Sequence, residues 1–252
     1  MLAPSLHVFD QGSGPPVVLL HGLPSPPGDL ERVADCLRGY RVLVPHLPGY
    51  AGSPAAPGRQ GIAAVEETLL ARLRELQVER PTLVGYSVGA YRVLSLASRL
   101  EARSVLALAG FGALSAEERT GMAGFAAMLR SGTSLKSVLP PRFRACEHRA
   151  ARPELDATVE AWLDAAPAAV LAEELDDLAR APSVLEALGR VSCPVIARTG
   201  SLDVAVPPCH ADEVARAARQ GILEIVPGVA HALFLEDEVG TLDAIRRASS
   251  IP

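Results

Sequence analysis

The chain has 252 residues, a formal net charge of −5 and an apolar share of nearly one half, which suits one large α/β domain with a sizeable core. Its basic residues are scattered, and all but Lys136 are arginine, so no basic stripe of the kind a nucleic-acid groove needs is present. Met1–Asp10 has neither a basic n-region nor an apolar h-region, and Pro16–Leu20 and Ser104–Leu114 are too short to span a bilayer, so a cytoplasmic protein without membrane contact is expected. Cys36, Cys146, Cys193 and Cys209 lie far apart without CxxC or zinc-ligand spacing, which predicts free thiols in a reducing compartment and no metal site.

In chain order, Pro16–Leu20, Arg41–Pro45, Pro81–Tyr86 and Ser104–Ala109 are short, continuously apolar and bounded by Gly or Pro, as strands buried on both faces of a parallel sheet are. Leu30–Arg38, Ile62–Gln77 and Val88–Leu100 read as helices between them, the second with Val65, Leu69, Leu70, Leu73 and Leu76 in helical spacing. This alternation predicts an α/β fold with a doubly wound, mostly parallel sheet. From Phe111 to Arg190 it stops. Glu117–Arg130, Glu154–Ala165, Ala168–Arg180 and Ser183–Leu188 read as helices, with breaks at Gly132, Pro140-Pro141, Pro153, Pro167 and Pro182. The rhythm then resumes with strand Pro194–Thr199, helix Cys209–Arg219, strand Ile222–Val226 and helix Glu236–Ala248. The expected organisation is a core over 1–112 and 191–252, with a helical cap over 113–190 above the carboxyl edge of the sheet, where open α/β folds place their ligands.

Gly85-Tyr86-Ser87-Val88-Gly89 follows a predicted strand and opens a predicted helix, and chance supplies only roughly 0.1 such pentapeptides in this length. In that context the serine stands on a sharp turn with Oγ clear of the backbone, and the helix start offers N–H groups to developing negative charge. Ser87 is therefore the predicted nucleophile, and it needs a base. Of the six histidines, His7 and His46 belong to strands or their ends, His148 to the cap, His210 to a helix start and His21 to the first loop. His231 follows Gly228-Val229-Ala230 on a loop that can hang over the sheet edge, and is the predicted base. Asp203, just after the strand Pro194–Thr199, is the predicted carboxylate that fixes its tautomer, with Asp212, Glu213 and Asp237 as competitors on helices. The oxyanion donors are expected from the backbone of Val88 and of Leu23, with Gly22 allowing a tight path and His21 orienting that loop.

Val17–Leu23 (VVLLHGL), His46–Ser53 (HLPGYAGS), Gly85–Gly89, Asp203 and His231 (PGVAH) together resemble the α/β-hydrolase superfamily over nearly the whole chain. Leu223–Glu236 (LEIVPGVAHALFLE) is most similar to the small bacterial branch of carboxylesterases, enol-lactone hydrolases and carbon–carbon bond hydrolases. The resemblance implies that the cap is inserted between the sixth and seventh core strands, and that the reaction runs through an acyl-enzyme without a cofactor. His46 and Ala51 depart from the family's usual Asp-x-Pro-Gly-x-Gly-x-Ser, which bears on a loop beside the site. Asp29 and Leu30 stand where an aromatic residue is common, a change expected to widen the acyl side of the pocket.

A small-molecule ester or lactone is the expected substrate. Carbon–carbon cleavage of a vinylogous diketone and a catalytically silent binding protein are the alternatives. The substrate pocket is expected to involve His21, Gly22, Tyr86, Phe111, Phe125, Met128 and Trp162, with Met122 a further apolar candidate. Arg142 and Arg144, in PPRFRA, could meet a substrate carboxylate, but exposed arginines are the favoured reading.

Overall fold

Strands that are apolar on every residue need cover on both faces, and helices on either side of the sheet supply it. The computed structural model describes residues 6–55, 61–136 and 142–251. Seven strands are present among them: β1 (Val8–Gly12), β2 (Pro16–Leu20), β3 (Arg41–Pro45), β4 (Thr82–Tyr86), β5 (Ser104–Leu108), β6 (Val195–Gly200) and β7 (Gly221–Val226). They lie in the order β1-β3-β2-β4-β5-β6-β7, with only β1 antiparallel to its neighbour. Alternate residues of each run enter opposite cores. Val18, Leu20, Leu43, Leu83, Val105 and Val195 meet α2 (Gly61–Glu75) and α3 (Val88–Ala97), whereas Val17, Leu19, Val42, Val84, Leu106 and Ile196 meet α1 (Pro27–Ala34) and the C-terminal helix. Helix α1 begins three residues ahead of the predicted Leu30, because Pro27 in the first turn has its φ set for a helix and needs no N–H partner.

Between β5 and β6 run α4 (Ala116–Arg130), α5 (Cys146–Ala151), α6 (Glu154–Ala165), α7 (Ala168–Leu178) and α8 (Leu185–Leu188). Helix α4 starts on a capping box in which Ser115 and Glu118 satisfy each other's backbone N–H groups. The insertion returns to where it left, since Val184 N–H donates to Gly112 O (2.9 Å). It follows the fifth strand of seven, not the sixth, because among the described residues a single strand precedes Pro16–Leu20. Helix α5 was not legible in the sequence, and the predicted break at Pro140-Pro141 lies outside the described residues. After β6 come α9 (Cys209–Ala217), α10 (Leu233–Glu236) and α11 (Glu238–Ser249). None of the described helices is long and apolar enough to cross a membrane.

Candidate active site

Ser87 sits between the end of β4 and the start of α3 with φ 55° and ψ −116°, a left-handed conformation that a non-glycine residue holds only when its surroundings enforce it. They do. Ser87 N–H donates to Leu108 O (2.8 Å), its carbonyl accepts from Ala90 N–H (2.9 Å), and β4 is locked between β2 and β5. A Cβ on Gly85 would lie 2.2 Å from Gly89 O, so the turn closes only with glycine there.

The structure brings Ser87, Asp203 and His231 together. Asp203 follows β6 in a turn, and its Oδ1 accepts from the N–H groups of Ala205 (2.9 Å) and Val206 (2.8 Å). Its Oδ2 is 2.8 Å from His231 Nδ1, which fixes the imidazole proton on Nδ1 and leaves Nε2 to accept from Ser87 Oγ at 3.0 Å. All three residues are buried. The His231 loop is held from several sides. Tyr86 Oη donates to His231 O (3.3 Å), Ala232 N–H donates to Phe143 O (2.7 Å), and Glu236 accepts from Ala230 N–H (2.7 Å). Glu236 also accepts from Ala145 N–H (2.7 Å), tying the histidine loop to the insertion.

The first loop passes close over Ser87. A Cβ on Gly22 would lie 2.8 Å from Ser87 Cβ, so glycine permits the approach. His21 is fully buried beneath this loop, with its ring 4.6 Å from that of Tyr50. Its Nδ1–H donates to Gly22 O (3.2 Å) and its Nε2 accepts from Leu47 N–H (3.3 Å), one donor and one acceptor as a neutral imidazole requires. Burial pushes its pKa down to about 4. Beside it, His46 Nδ1 accepts from Gly52 N–H (3.0 Å) and Nε2 meets Glu31 (2.7 Å), so His46 closes the loop at which the sequence departs from its relatives. Ala51 in that loop has φ 41°.

A cavity of about 90 Å³ opens at Ser87 and His231. Phe111 lines it from the core, and Met122, Phe125 and Leu129 line it from α4 at helical spacing. Leucines of α6 and α7 close it, with Arg142, Phe143 and Val206 on a further wall. Of the residues expected in the pocket, Phe111, Phe125 and Met122 line it, as do Leu23 and Val88, which were expected as oxyanion donors. The others do not. His21 and Gly22 lie beneath or within the first loop, and Tyr86 turns its ring to His231 (5.3 Å) and Phe234 (5.7 Å) on the opposite side. Met128 is one position off the stripe that faces the cavity. Trp162 packs with Phe143, Val159 and Ala232 in a separate cluster, and its neighbour Leu163 reaches the cavity instead. Asp29 and Leu30 lie away from it, on α1. Arg144 is buried, not exposed, because Asp156 (2.5 Å) and the carbonyl of His148 (3.0 Å) receive its guanidinium.

A mostly parallel sheet with helices on both faces and a serine–imidazole–carboxylate chain at its carboxyl edge is the architecture of an α/β hydrolase. The chain belongs to the alpha/beta hydrolase family, whose model matches residues 17–244. Over 90 residues it is 33% identical to an epoxide hydrolase of Caballeronia sordidicola, covering 34% of this chain and 27% of that protein. Over 89 residues it is 36% identical to epoxide hydrolase 3 of Siraitia grosvenorii, covering 34% and 28%. These matches thus span little more than a quarter of the curated relatives' length. Over almost its full length the fold resembles a thermophilic esterase of Thermogutta terrifontis, solved with malate bound (TM-score 0.88, 23% identity, 98% of this chain and 96% of that one). It also resembles the enol-lactonase of Burkholderia xenovorans (TM-score 0.86, 18% identity, 96% and 95%). At such identities the likeness is one of fold.

Proposed function

We propose that the protein is a serine hydrolase that cleaves a compact carboxylic ester or lactone through an acyl-enzyme on Ser87. The observation that carries this reading is the hydrogen-bonded chain Asp203–His231–Ser87, ending at a strained serine on an apolar cavity. In this mechanism Ser87 Oγ attacks the carbonyl as its proton passes to His231 Nε2, and Asp203 stabilises the imidazolium. The Leu23 and Val88 N–H groups receive the oxyanion; Val88 is the first residue of α3, whose N–H has no partner within the helix. His231 returns the proton to the leaving alkoxide. A water then deprotonated by His231 attacks the acyl-enzyme, and the acid leaves.

Residues 113–190 act as a cap that shapes the acyl pocket. At about 90 Å³ the cavity is smaller than the roughly 150 Å³ that holds a benzene ring, which favours short acyl groups. An epoxide-opening reaction fits this site less well. A serine that opened an epoxide would be left as an ether, which water does not hydrolyse, whereas a carbonyl substrate leaves a labile ester. Four unpaired cysteines suit a reducing, cytoplasmic setting.

The test is a panel of nitrophenyl acetate to hexanoate esters, simple lactones and a dienoic diketone, together with fluorophosphonate labelling of wild type and Ser87→Ala. Ester or lactone turnover with labelling lost in Ser87→Ala is expected. Absence of labelling in folded wild type would sink the enzyme reading. Turnover of the diketone without any ester would move it to carbon–carbon hydrolysis.

A further inference from the structure

Apart from Ser87 and His231, the cavity wall is apolar with a single charged exception, Arg142. The guanidinium carries five N–H donors in a planar fork that matches a carboxylate. One of its nitrogens, Nη2, donates to Val204 O (3.0 Å), and among the described residues no carboxylate pairs with it. Its neighbours differ. Arg144 and Arg149 both spend their charge on Asp156. Arg142 is half-buried on the side of the cavity formed by the Asp203 turn, where Ala205 and Val206 also contribute to the wall. Arg142 is thus the one charged side chain on an otherwise apolar wall, with guanidinium donors that no described carboxylate takes, so an anionic group on a ligand in the cavity would find a charge-assisted partner there.

We infer that Arg142 is a specificity-determining residue that selects esters or lactones bearing a second, free carboxylate, such as half-esters of short dicarboxylic acids. The inference rests on the ester-hydrolase reading of Ser87 and extends it. The reacting carbonyl lies at Ser87, and the free carboxylate of the same molecule pairs with the guanidinium across a small apolar cavity. The short span favours a dicarboxylic acid of few carbons. Hydrolysis then yields an alcohol and a dicarboxylate, which also fits the site and acts as a product inhibitor.

The experiment compares kcat/KM for monoethyl succinate and monoethyl glutarate with that for ethyl butyrate and diethyl succinate, at constant ionic strength, in wild type, Arg142→Gln and Arg142→Lys. Wild type is expected to favour the half-esters by about tenfold or more, as a charge-assisted contact at a half-buried site provides. Arg142→Gln should remove most of that ratio, and Arg142→Lys should keep part of it. On wild type alone, glutarate should inhibit hydrolysis of ethyl butyrate competitively and far more strongly than glutaramide, so the test survives a variant that fails to fold. Labelling at Ser87 and hydrolysis of neutral esters with no preference for half-esters would overturn this inference alone. So would an equal loss for both substrate types in Arg142→Gln, which marks a latch to Val204 and nothing more. Absence of both labelling and ester turnover would overturn the hydrolase reading together with it.

Discussion

His21 is buried neutral, and that makes folding stability pH-dependent in a definite direction. Its pKa falls from 6.5 in the open chain to about 4 in the folded protein, chiefly through burial, with Arg92 and His46 adding repulsion. Between those two values the unfolded chain binds a proton that the folded protein refuses, so stability decreases as pH falls through this window. The contribution is complete above pH 6.5, is lost progressively down to about pH 4, and changes no further below it. The gap corresponds to about 3 kcal/mol, a large share of a typical folding free energy. Burial also lowers the His46 pKa, so the wild-type curve alone contains both residues. Subtracting the curve of His21→Gln isolates the first. Urea unfolding of both proteins at half-unit steps from pH 4 to 7.5 should show a wild-type advantage that shrinks by about 3 kcal/mol toward pH 4. A difference that stays constant across that range would refute the account of a buried neutral imidazole.

Three other substitutions test separate parts of the structure. Glu236→Ala removes a fully buried carboxylate that accepts from Ala145 and Ala230, and should cost about 3–5 kcal/mol in urea unfolding because buried donors lose their partner; a loss near zero would mean the side chain is not buried as described. Ala51→Gly relieves a left-handed alanine, and should stabilise by about 0.5–1 kcal/mol, raising the melting temperature by about 2 °C. Phe125→Ala enlarges the acyl cavity, so the kcat/KM ratio of nitrophenyl hexanoate over acetate should rise by about tenfold, and an unchanged ratio would place the acyl chain elsewhere.

How much of this was legible in the sequence depends on how local the cause is. Runs such as Val17–Leu20 and Val105–Leu108 declare strands covered on both faces, because no other short element is apolar at every position. The elbow is legible for a similar reason: Gly85 and Gly89 crowd each other across Ser87, so the spacing is a steric requirement that the sequence displays. Pocket lining is not local. On α4 both Met128 and Leu129 are apolar, and which one meets the cavity depends on the angle at which α4 packs on α7. Trp162 and Leu163 pose the same problem on α6. The burial of Arg144 was equally hidden, because its partner Asp156 lies on α6 and only the folded insertion brings them together.

The same distinction separates a strained serine turn held by the core from a cavity walled by the insertion. Ser87 and Asp203 are fixed by hydrogen bonds within the sheet and its turns, which depend little on the insertion. His231 is different, because its loop is shared. Phe143 and Ala145 of the insertion bind the backbone of Ala232 and the carboxylate of Glu236, respectively. On the other side of the cavity Glu174 of α7 receives Tyr50 Oη (2.8 Å) and Arg92 Nη2 (3.1 Å), and Tyr50 in turn lies against His21. The insertion is thus pinned to both the His231 loop and the His21–Leu23 loop by buried carboxylates, while the space between is lined, apart from Ser87, His231 and Arg142, by apolar side chains. Exchanging Phe125, Leu129 or Leu175 alters that space, whereas cutting either pin disturbs His231 or the His21–Leu23 loop. Under the proposed function, acyl preference can therefore vary through apolar substitutions that leave the hydrogen-bonded chain Asp203–His231–Ser87 untouched.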